Sequence, residues 1–276
     1  MTSPARSGAP GAVADTASAP DTAPAAGAAS TYPYVLRLAD DALIAAQRLA
    51  QWCTYAPQLE EDVALANIAL DLLGQARTLL GHAGALEGRG RDEDALAFLR
   101  EEREFTNVQL VELPNGDFAH SIAKLLFLAA YQRLLYERLS GSQDPVLAAL
   151  AAKAVKESVY HLDHAAAWTE RLGDGTEESH RRMRDAVAAV WPYTHDLFAG
   201  DPLYARVAAE GVGVDPAALR EEWLNEVQRV LTAATLSIAD DKWTPTGGRR
   251  GVHTESFGPL LAEMQALHRA HPGVTW

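Results

Sequence analysis

Cysteine is almost absent from this sequence. Cys53 is the only one among 276 residues, so neither a disulfide within the chain nor a metal site built on several cysteines can form. A reducing compartment such as the cytoplasm fits this cysteine usage. The hydrophobic stretch QWCTYA around Cys53 contains no histidine, which predicts a buried structural thiol.

Basic residues are outnumbered, which limits the class of partner. Lysine and arginine total 24 against 37 aspartate and glutamate residues, for a formal net charge of −13. Binding to nucleic acid requires a basic face that releases counterions from the phosphate backbone. Nucleic acid is therefore not an expected partner, and proteins or small molecules are.

Long apolar runs and strand-like alternation are also missing. No uninterrupted apolar run approaches the roughly 18 residues that a membrane-spanning helix needs, so a membrane protein is not expected. Aromatic residues make up only 7% of the chain, whereas alanine, leucine, glutamate and arginine are abundant. This composition predicts an all-α protein of one or at most two domains.

The first 33 residues differ in composition from the rest. They consist mainly of alanine, proline, serine, threonine and glycine, and they lack the basic start and apolar core of a secretory signal. Such a segment cannot bury enough apolar surface to offset the loss of chain entropy. We expect residues 1–33 to form a disordered tail and residues 34–276 to form one helical domain.

Turn and capping residues divide that domain into helices. Pro57 ends the first helix because proline cannot extend one, while Asp117 and Thr176 are placed as N-caps. Asp144 and Pro145 open a further helix, with proline at its first position. The predicted helices cover residues 42–56, 59–81, 93–111, 118–139, 145–173, 177–198, 216–236 and 259–268, which together predict a helical bundle.

The second predicted helix carries a polar stripe on an apolar background. Its segment LANIALDLLGQARTLL, residues 65–80, is apolar around most of its circumference, which predicts burial within a bundle. Asn67, Asp71, Gln75 and Thr78 recur at spacings of three or four and share one side of the helix. The stripe faces either water or a polar interior, and a bundle that holds metal in its core needs the second arrangement.

A metal centre in such a bundle has a testable sequence pattern. A ferritin-like di-iron site takes one glutamate from each of two helices and a Glu-x-x-His pair from each of the other two. In KESVYHLDH, residues 156–164, Tyr160 stands three positions after Glu157, and Gly74 stands three positions after Asp71. A phenol with a pKa of about 10 is a poor ligand at neutral pH, and glycine offers none, so both halves of the pattern fail.

Two interpretations of the histidines in this helix stay open. His161 lies four residues after Glu157, and His164 lies one turn further on, so Glu157, His161 and His164 could form an atypical metal site in a competent metalloenzyme. However, His161 falls near the centre of the apolar face of its helix. This position favours a buried neutral histidine that is hydrogen bonded to a carboxylate or a backbone carbonyl.

Three further matches have simpler explanations. The Glu-x-x-His at residues 177–180 and the Asp-x-x-His at 117–120 both begin a helix, where acidic residues complement the helix dipole. The loop at residues 247–251, GGRRG, could hold a phosphate or an acidic partner surface. It lacks the spacing of a P-loop, and a solvated loop is the default interpretation.

Four long motifs, in order, resemble the C-subunit family of bacterial phenylacetyl-CoA 1,2-epoxidases. The likeness extends from about Val35 to the C-terminus and leaves out only the tail. The motifs are LANIALDLLGQAR (65–77), PNGDFAHSIA (114–123), KESVYHLDHAAAWTERLGDGT (156–176) and GGRRGVHTESFGPLLAEMQALHR (247–269).

The resemblance implies a ferritin-like bundle with extra helices and a supporting role in an oxygenase of aerobic phenylacetate degradation. In this family a homologous A subunit holds the di-iron centre, and the complex epoxidises phenylacetyl-CoA with oxygen and with electrons from NADPH through a flavin and iron–sulfur reductase. The A subunit and other subunits of the complex are the expected partners, and this chain is expected to hold no cofactor. A helical scaffold unrelated to oxygenases is the remaining alternative.

The residues that fail as ligands then acquire a structural role. We expect Asn67, Asp71, Glu157, Tyr160 and His161 to lie at the degenerate site. Their side chains would form a buried polar network in place of the metal and keep the bundle rigid for its partner.

Overall fold

The computed structural model describes residues 1–2, 28–238 and 243–274, and it contains nine α-helices within these ranges. No strand occurs in the described residues, which confirms the all-α prediction. The helices are α1 (Ala28–Ala50), α2 (Leu59–Glu87), α3 (Glu93–Phe98), α4 (Phe118–Leu139), α5 (Pro145–Gly173), α6 (Glu177–Val190), α7 (Pro202–Ala209), α8 (Arg220–Ala233) and α9 (Phe257–Ala270).

Two long helix pairs form the bundle. Helix α1 packs along α2, helix α4 packs along α5, and α2 also contacts α5. Helices α6 and α8 cover α4 and α5, while α7 lies against α1 and α9 against α3. Most of the 22 residues of α4 are buried, so α4 lies at the centre of the hydrophobic core.

The predicted caps are confirmed. The Asp117 side chain accepts from the His120 backbone N–H at 3.0 Å, and Thr176 accepts from the Ser179 backbone N–H at 3.2 Å. Asp144 accepts from two backbone N–H groups of the first turn of α5. Each cap satisfies donors that the first turn of a helix leaves without partners.

The first helix lies earlier in the chain than predicted. It begins at Ala28 and ends at Ala50, and Ser30 and Thr31 are buried, so ordered structure reaches into the predicted tail of residues 1–33. Residues 3–27 of that tail lie outside the described residues. Cys53 falls in the turn after α1 and is exposed, so the prediction of a buried thiol is wrong.

The predicted helix at 93–111 ends at Phe98 because a buried ion pair redirects the chain. Arg100 and Asp40 are almost fully buried, and a guanidinium N–H donates to Asp40 Oδ2 at 3.1 Å. Asp40 also accepts from the backbone N–H of Thr106 at 2.8 Å. Residues 100–112 therefore follow an irregular path with two short 3-10 turns, Glu102–Glu104 and Gln109–Glu112.

The C-terminal half departs from prediction at three points. Helix α6 ends at Val190 and continues as a 3-10 segment, Trp191–Phe198, with proline near its start. Helix α7, which begins at Pro202 after an Asp201 cap, was not predicted. The predicted helix at 216–236 begins as a 3-10 turn, Pro216–Leu219, before α8.

Candidate functional site

The facing sides of α2 and α5 carry four of the polar residues that the sequence singled out. His161 Nε2 lies 3.1 Å from Asp71 Oδ2, and Gln75 Nε2 donates to Glu157 Oε2 at 2.9 Å. Gln75 follows Asp71 along α2, whereas its partner Glu157 precedes His161 along α5, so the two helices run antiparallel. These two contacts cross-link α2 and α5 one helical turn apart.

His161 is fully buried and makes one polar contact. Its side chain is 0% exposed, and its Nδ1 has no hydrogen-bond partner. Burial lowers the pKa of His161, and the hydrogen bond to Asp71 opposes that shift. A second ring proton would place an N–H at Nδ1 without an acceptor, so the ring is neutral and donates from Nε2 to Asp71. The prediction of a buried histidine paired with a carboxylate is confirmed.

Glu157 belongs to a chain of hydrogen bonds that reaches the bundle core. The buried Tyr136 hydroxyl donates to Gln75 Oε1 at 2.9 Å, and Gln75 then donates to Glu157. Burial raises the pKa of Tyr136, so its phenol stays a donor. Exposed Lys153 contacts the other carboxylate oxygen of Glu157 at 2.9 Å. This series of hydrogen bonds connects α4, α2 and α5.

A second histidine–carboxylate pair lies at the other end of the helix contact. His164 Nε2 is 3.3 Å from Glu61 Oε2, and both side chains are largely buried, but neither of these two atoms makes a hydrogen bond. Burial lowers the pKa of His164, and the nearby Glu61 charge opposes that shift. His164 therefore interacts with the first turn of α2, while His161 interacts with the middle of that helix.

Two residues of the predicted network do not join it. Asn67 is exposed on α2. Tyr160 is 52% exposed, and its ring tilts over His164 with the ring centroids 6.4 Å apart. The geometry brings together Asp71 with His161 and Gln75 with Glu157, so the observed network is smaller and less buried than the predicted one.

The donor set does not fit a di-iron centre. Glu157, His161 and His164 direct their polar atoms to separate partners, and each histidine meets a single carboxylate. Across residues 28–238 and 243–274, no group of three or more histidine, cysteine, aspartate and glutamate side chains is placed to hold an ion. The described residues offer pairs of ligands where a ferritin-like centre needs a shared cluster.

The glycine and arginine loop is part of the core, which corrects the default interpretation of a solvated loop. Arg249 donates to both carboxylate oxygens of Asp41, at 2.9 and 2.7 Å. Burial alone would lower the pKa of Arg249, but the neighbouring Asp41 carboxylate keeps that pKa above its usual value. A Cβ at Gly248 would collide with the Asn107 carbonyl oxygen, so glycine is needed there. Arg250 is the exposed arginine of the loop.

Glu112 anchors the segment that follows this loop, and sequence reasoning missed it. Its carboxylate is fully buried and accepts from Asn107, from the backbone N–H of Thr254 and from the His253 ring, at 2.9, 2.7 and 2.6 Å. His253 and Thr254 lie more than 140 positions away in the chain. No local pattern marks such a contact, so the sequence held no usable signal for it.

The helix arrangement and the paired residues of α2 and α5 define a ferritin-like helical protein. The chain belongs to the phenylacetic acid catabolic protein family, whose model matches residues 2–276. It is 50% identical over 243 residues to the C subunit of 1,2-phenylacetyl-CoA epoxidase from Escherichia coli (strain K12), a match that covers 88% of this chain and 98% of that protein. The resemblance predicted from the four motifs is confirmed.

Proposed function

We propose that this chain is a non-catalytic subunit of a phenylacetyl-CoA 1,2-epoxidase in aerobic phenylacetate catabolism. In this proposal it supports a homologous catalytic A subunit, which holds the di-iron centre. The 50% identity with the Escherichia coli protein supports the assignment to the complex. The observation that carries the non-catalytic role is the separation of Glu157, His161 and His164 onto different partners.

Within this proposal, hydrogen bonds do the structural work that metal ligation does in a catalytic bundle. The Asp71–His161 and Gln75–Glu157 contacts hold α2 against α5, and the Tyr136 hydroxyl extends the second contact to α4. A bundle cross-linked in this way keeps its shape without an ion. It can therefore present a fixed surface to a partner and lose little conformational entropy on binding.

The same proposal places the chain in the cytoplasm, without a cofactor of its own. Its net charge of −13 argues against nucleic acid. Among the described residues, α2 is long and apolar enough to cross a membrane by length and composition, and 44% of its apolar 18-residue stretch is buried. Packing of α2 between α1 and α5 supports a role as a bundle helix.

Co-expression with the candidate A subunit tests the proposal. We expect the two chains to co-purify, and we expect oxygen-dependent epoxidation of phenylacetyl-CoA, with the reductase and NADPH, only from the assembled complex. The A subunit alone and this chain alone are the controls. Turnover by this chain alone would contradict the non-catalytic role, and failure to co-purify would contradict its place in the complex.

A further inference from the structure

Three buried polar atoms outside the candidate site lack hydrogen-bond partners. They are Arg37 Nη1, Arg249 Nε and the Tyr204 hydroxyl. The three residues are only 8%, 7% and 2% exposed, so solvent at the surface does not satisfy these atoms. We call the three residues the Tyr204 cluster.

Both arginines of the cluster lie beside the Tyr204 ring. The guanidinium carbon of Arg37 is 4.8 Å from the ring centroid, and that of Arg249 is 6.0 Å from it. A guanidinium N–H of Arg249 also donates to the backbone carbonyl oxygen of Arg37 at 3.3 Å. Helix α1, helix α7 and the loop at residues 247–251 therefore meet at the Tyr204 cluster.

Neighbouring unpaired donors of this kind are rare in a protein core. Nearly all buried N–H and O–H groups have a partner, and leaving a charged donor without one costs more free energy than leaving a neutral one. Eight buried side-chain atoms of the described residues lack partners, and three of the eight belong to this cluster. A single bound acceptor accounts for all three.

The charges around the cluster are already balanced. Arg37 pairs with Asp201 at 2.6 Å, and Arg249 pairs with Asp41 at 2.7 Å. Burial raises the pKa of Tyr204, so its phenol stays neutral. An added anion would leave a net negative charge in the core, where an uncompensated charge is strongly destabilising. A neutral acceptor is therefore the ligand that this environment favours.

Water has the hydrogen-bonding capacity that the cluster needs. It can accept from Arg37 Nη1 and Arg249 Nε and donate to the Tyr204 oxygen, and buried waters typically make about three such bonds. The Arg249 guanidinium carbon is 6.0 Å from the Tyr204 ring centroid, against 4.0 Å for the closely packed Arg100 and Phe105. Arg249 therefore does not stack directly on Tyr204.

We propose that Arg37, Arg249 and Tyr204 bind one internal water molecule. This water joins α1, α7 and the loop at residues 247–251, and it completes the hydrogen bonding of the two ion pairs that hold α7 and the loop against α1. Neither the site nor its test depends on the assignment of this chain to an epoxidase.

Tyr204→Phe distinguishes a bound water from an unpaired hydroxyl. If a water links the three residues, loss of the phenol oxygen removes one of its hydrogen bonds, and we expect the urea midpoint to fall. A midpoint that rises or stays unchanged would overturn the proposal, because removing a buried hydroxyl without a partner relieves a desolvation cost.

Tyr34→Phe is the matched control, since its partner is seen directly. The Tyr34 oxygen accepts from the backbone N–H of Val214 at 3.1 Å, and Tyr34 is buried like Tyr204. Its loss leaves that N–H unpaired, so the urea midpoint of Tyr34→Phe should also fall. Circular dichroism of both variants checks that the helical fold is kept.

A high-resolution crystal structure of the full chain, from crystals grown in sodium bromide, identifies the occupant. We expect one density peak about 2.7 to 3.2 Å from all three atoms, without anomalous signal at the bromine edge. Absence of any peak there would overturn the proposal. An anomalous peak would assign the site to a halide ion and would overturn water as its ligand.

Discussion

Replacing Glu157 with alanine is expected to lower the free energy of unfolding by about 1.5 to 2 kcal/mol. Glu157 accepts a hydrogen bond from the buried Gln75 amide at 2.9 Å, and hydrogen bonds to charged groups contribute about 1.5 to 3 kcal/mol. The adjacent groove of about 450 Å³ admits water to the vacated position, so the lower part of that range applies. The exposed contact with Lys153 adds only about 0.3 to 0.5 kcal/mol.

Urea denaturation followed by circular dichroism measures this loss. A change of this size shifts the thermal midpoint by about 3 to 8 °C in a domain of this length. Glu157→Gln should lose less than Glu157→Ala, because its side-chain oxygen can still accept from Gln75. Lys153→Ala should stay within about 0.5 kcal/mol of the wild type.

The competing account of Glu157 as a metal ligand gives a different pattern. If Glu157 binds a metal ion, either the Glu157→Ala substitution or a chelator would destabilise the fold by removing that ion. The substituted chain would also hold less metal than the wild type. Wild-type stability in metal-free Glu157→Ala, combined with a loss of bound iron, would refute the hydrogen-bond network. A Glu157→Ala chain that is destabilised equally with and without chelator agrees with it.

Two further predictions concern buried ionisable groups. Because burial lowers the pKa of His161, its stabilising contribution is present above its unfolded-state pKa of about 6.5 and is lost as pH falls below that value. The urea midpoint should therefore fall as the pH is lowered from 7 to 5, and it should fall less in His161→Gln. An equal pH dependence of the midpoint in the two proteins would contradict the role given to His161. Asp41→Asn leaves the buried Arg249 without its ion-pair partner and should cost about 3 to 5 kcal/mol in chemical denaturation. A loss below about 1 kcal/mol would show that Arg249 finds another partner or water.

Local signals in the sequence were sufficient for much of the fold. Asp117, Asp144 and Thr176 mark helix starts because a cap needs only neighbouring residues. Asp201 followed by Pro202 carries the same signal as Asp144 followed by Pro145, so the overlooked α7 could have been predicted. These helices need no information about the rest of the chain.

Errors occurred where a distant partner decides the local structure. The helix predicted at 93–111 has adequate propensity, yet it ends because Arg100 pairs with Asp40, 60 positions away. Arg249 likewise reads as a loop arginine until Asp41, 208 positions away, is placed beside it. Neither partner can be identified from a single sequence.

The candidate site was predictable in part for the same reason. Helical spacing placed His161 on the buried face of α5, and the spacing of Asp71 and Gln75 placed them on one side of α2. The sequence could not show that Tyr136 reaches Gln75 from α4. It also could not show the orientation of α2 in the bundle, which leaves Asn67, Leu70 and Leu73 exposed.

Iron analysis of each chain separated from an active, co-expressed complex tests the central claim most directly. The proposal requires about two iron atoms on the A subunit and none above background on this chain. The reason is that His161 is hydrogen bonded to Asp71 and the described residues bring no three carboxylate or histidine side chains together. The A subunit serves as the internal positive control. Stoichiometric iron on this chain, lost when His161 is replaced by glutamine, would contradict the account.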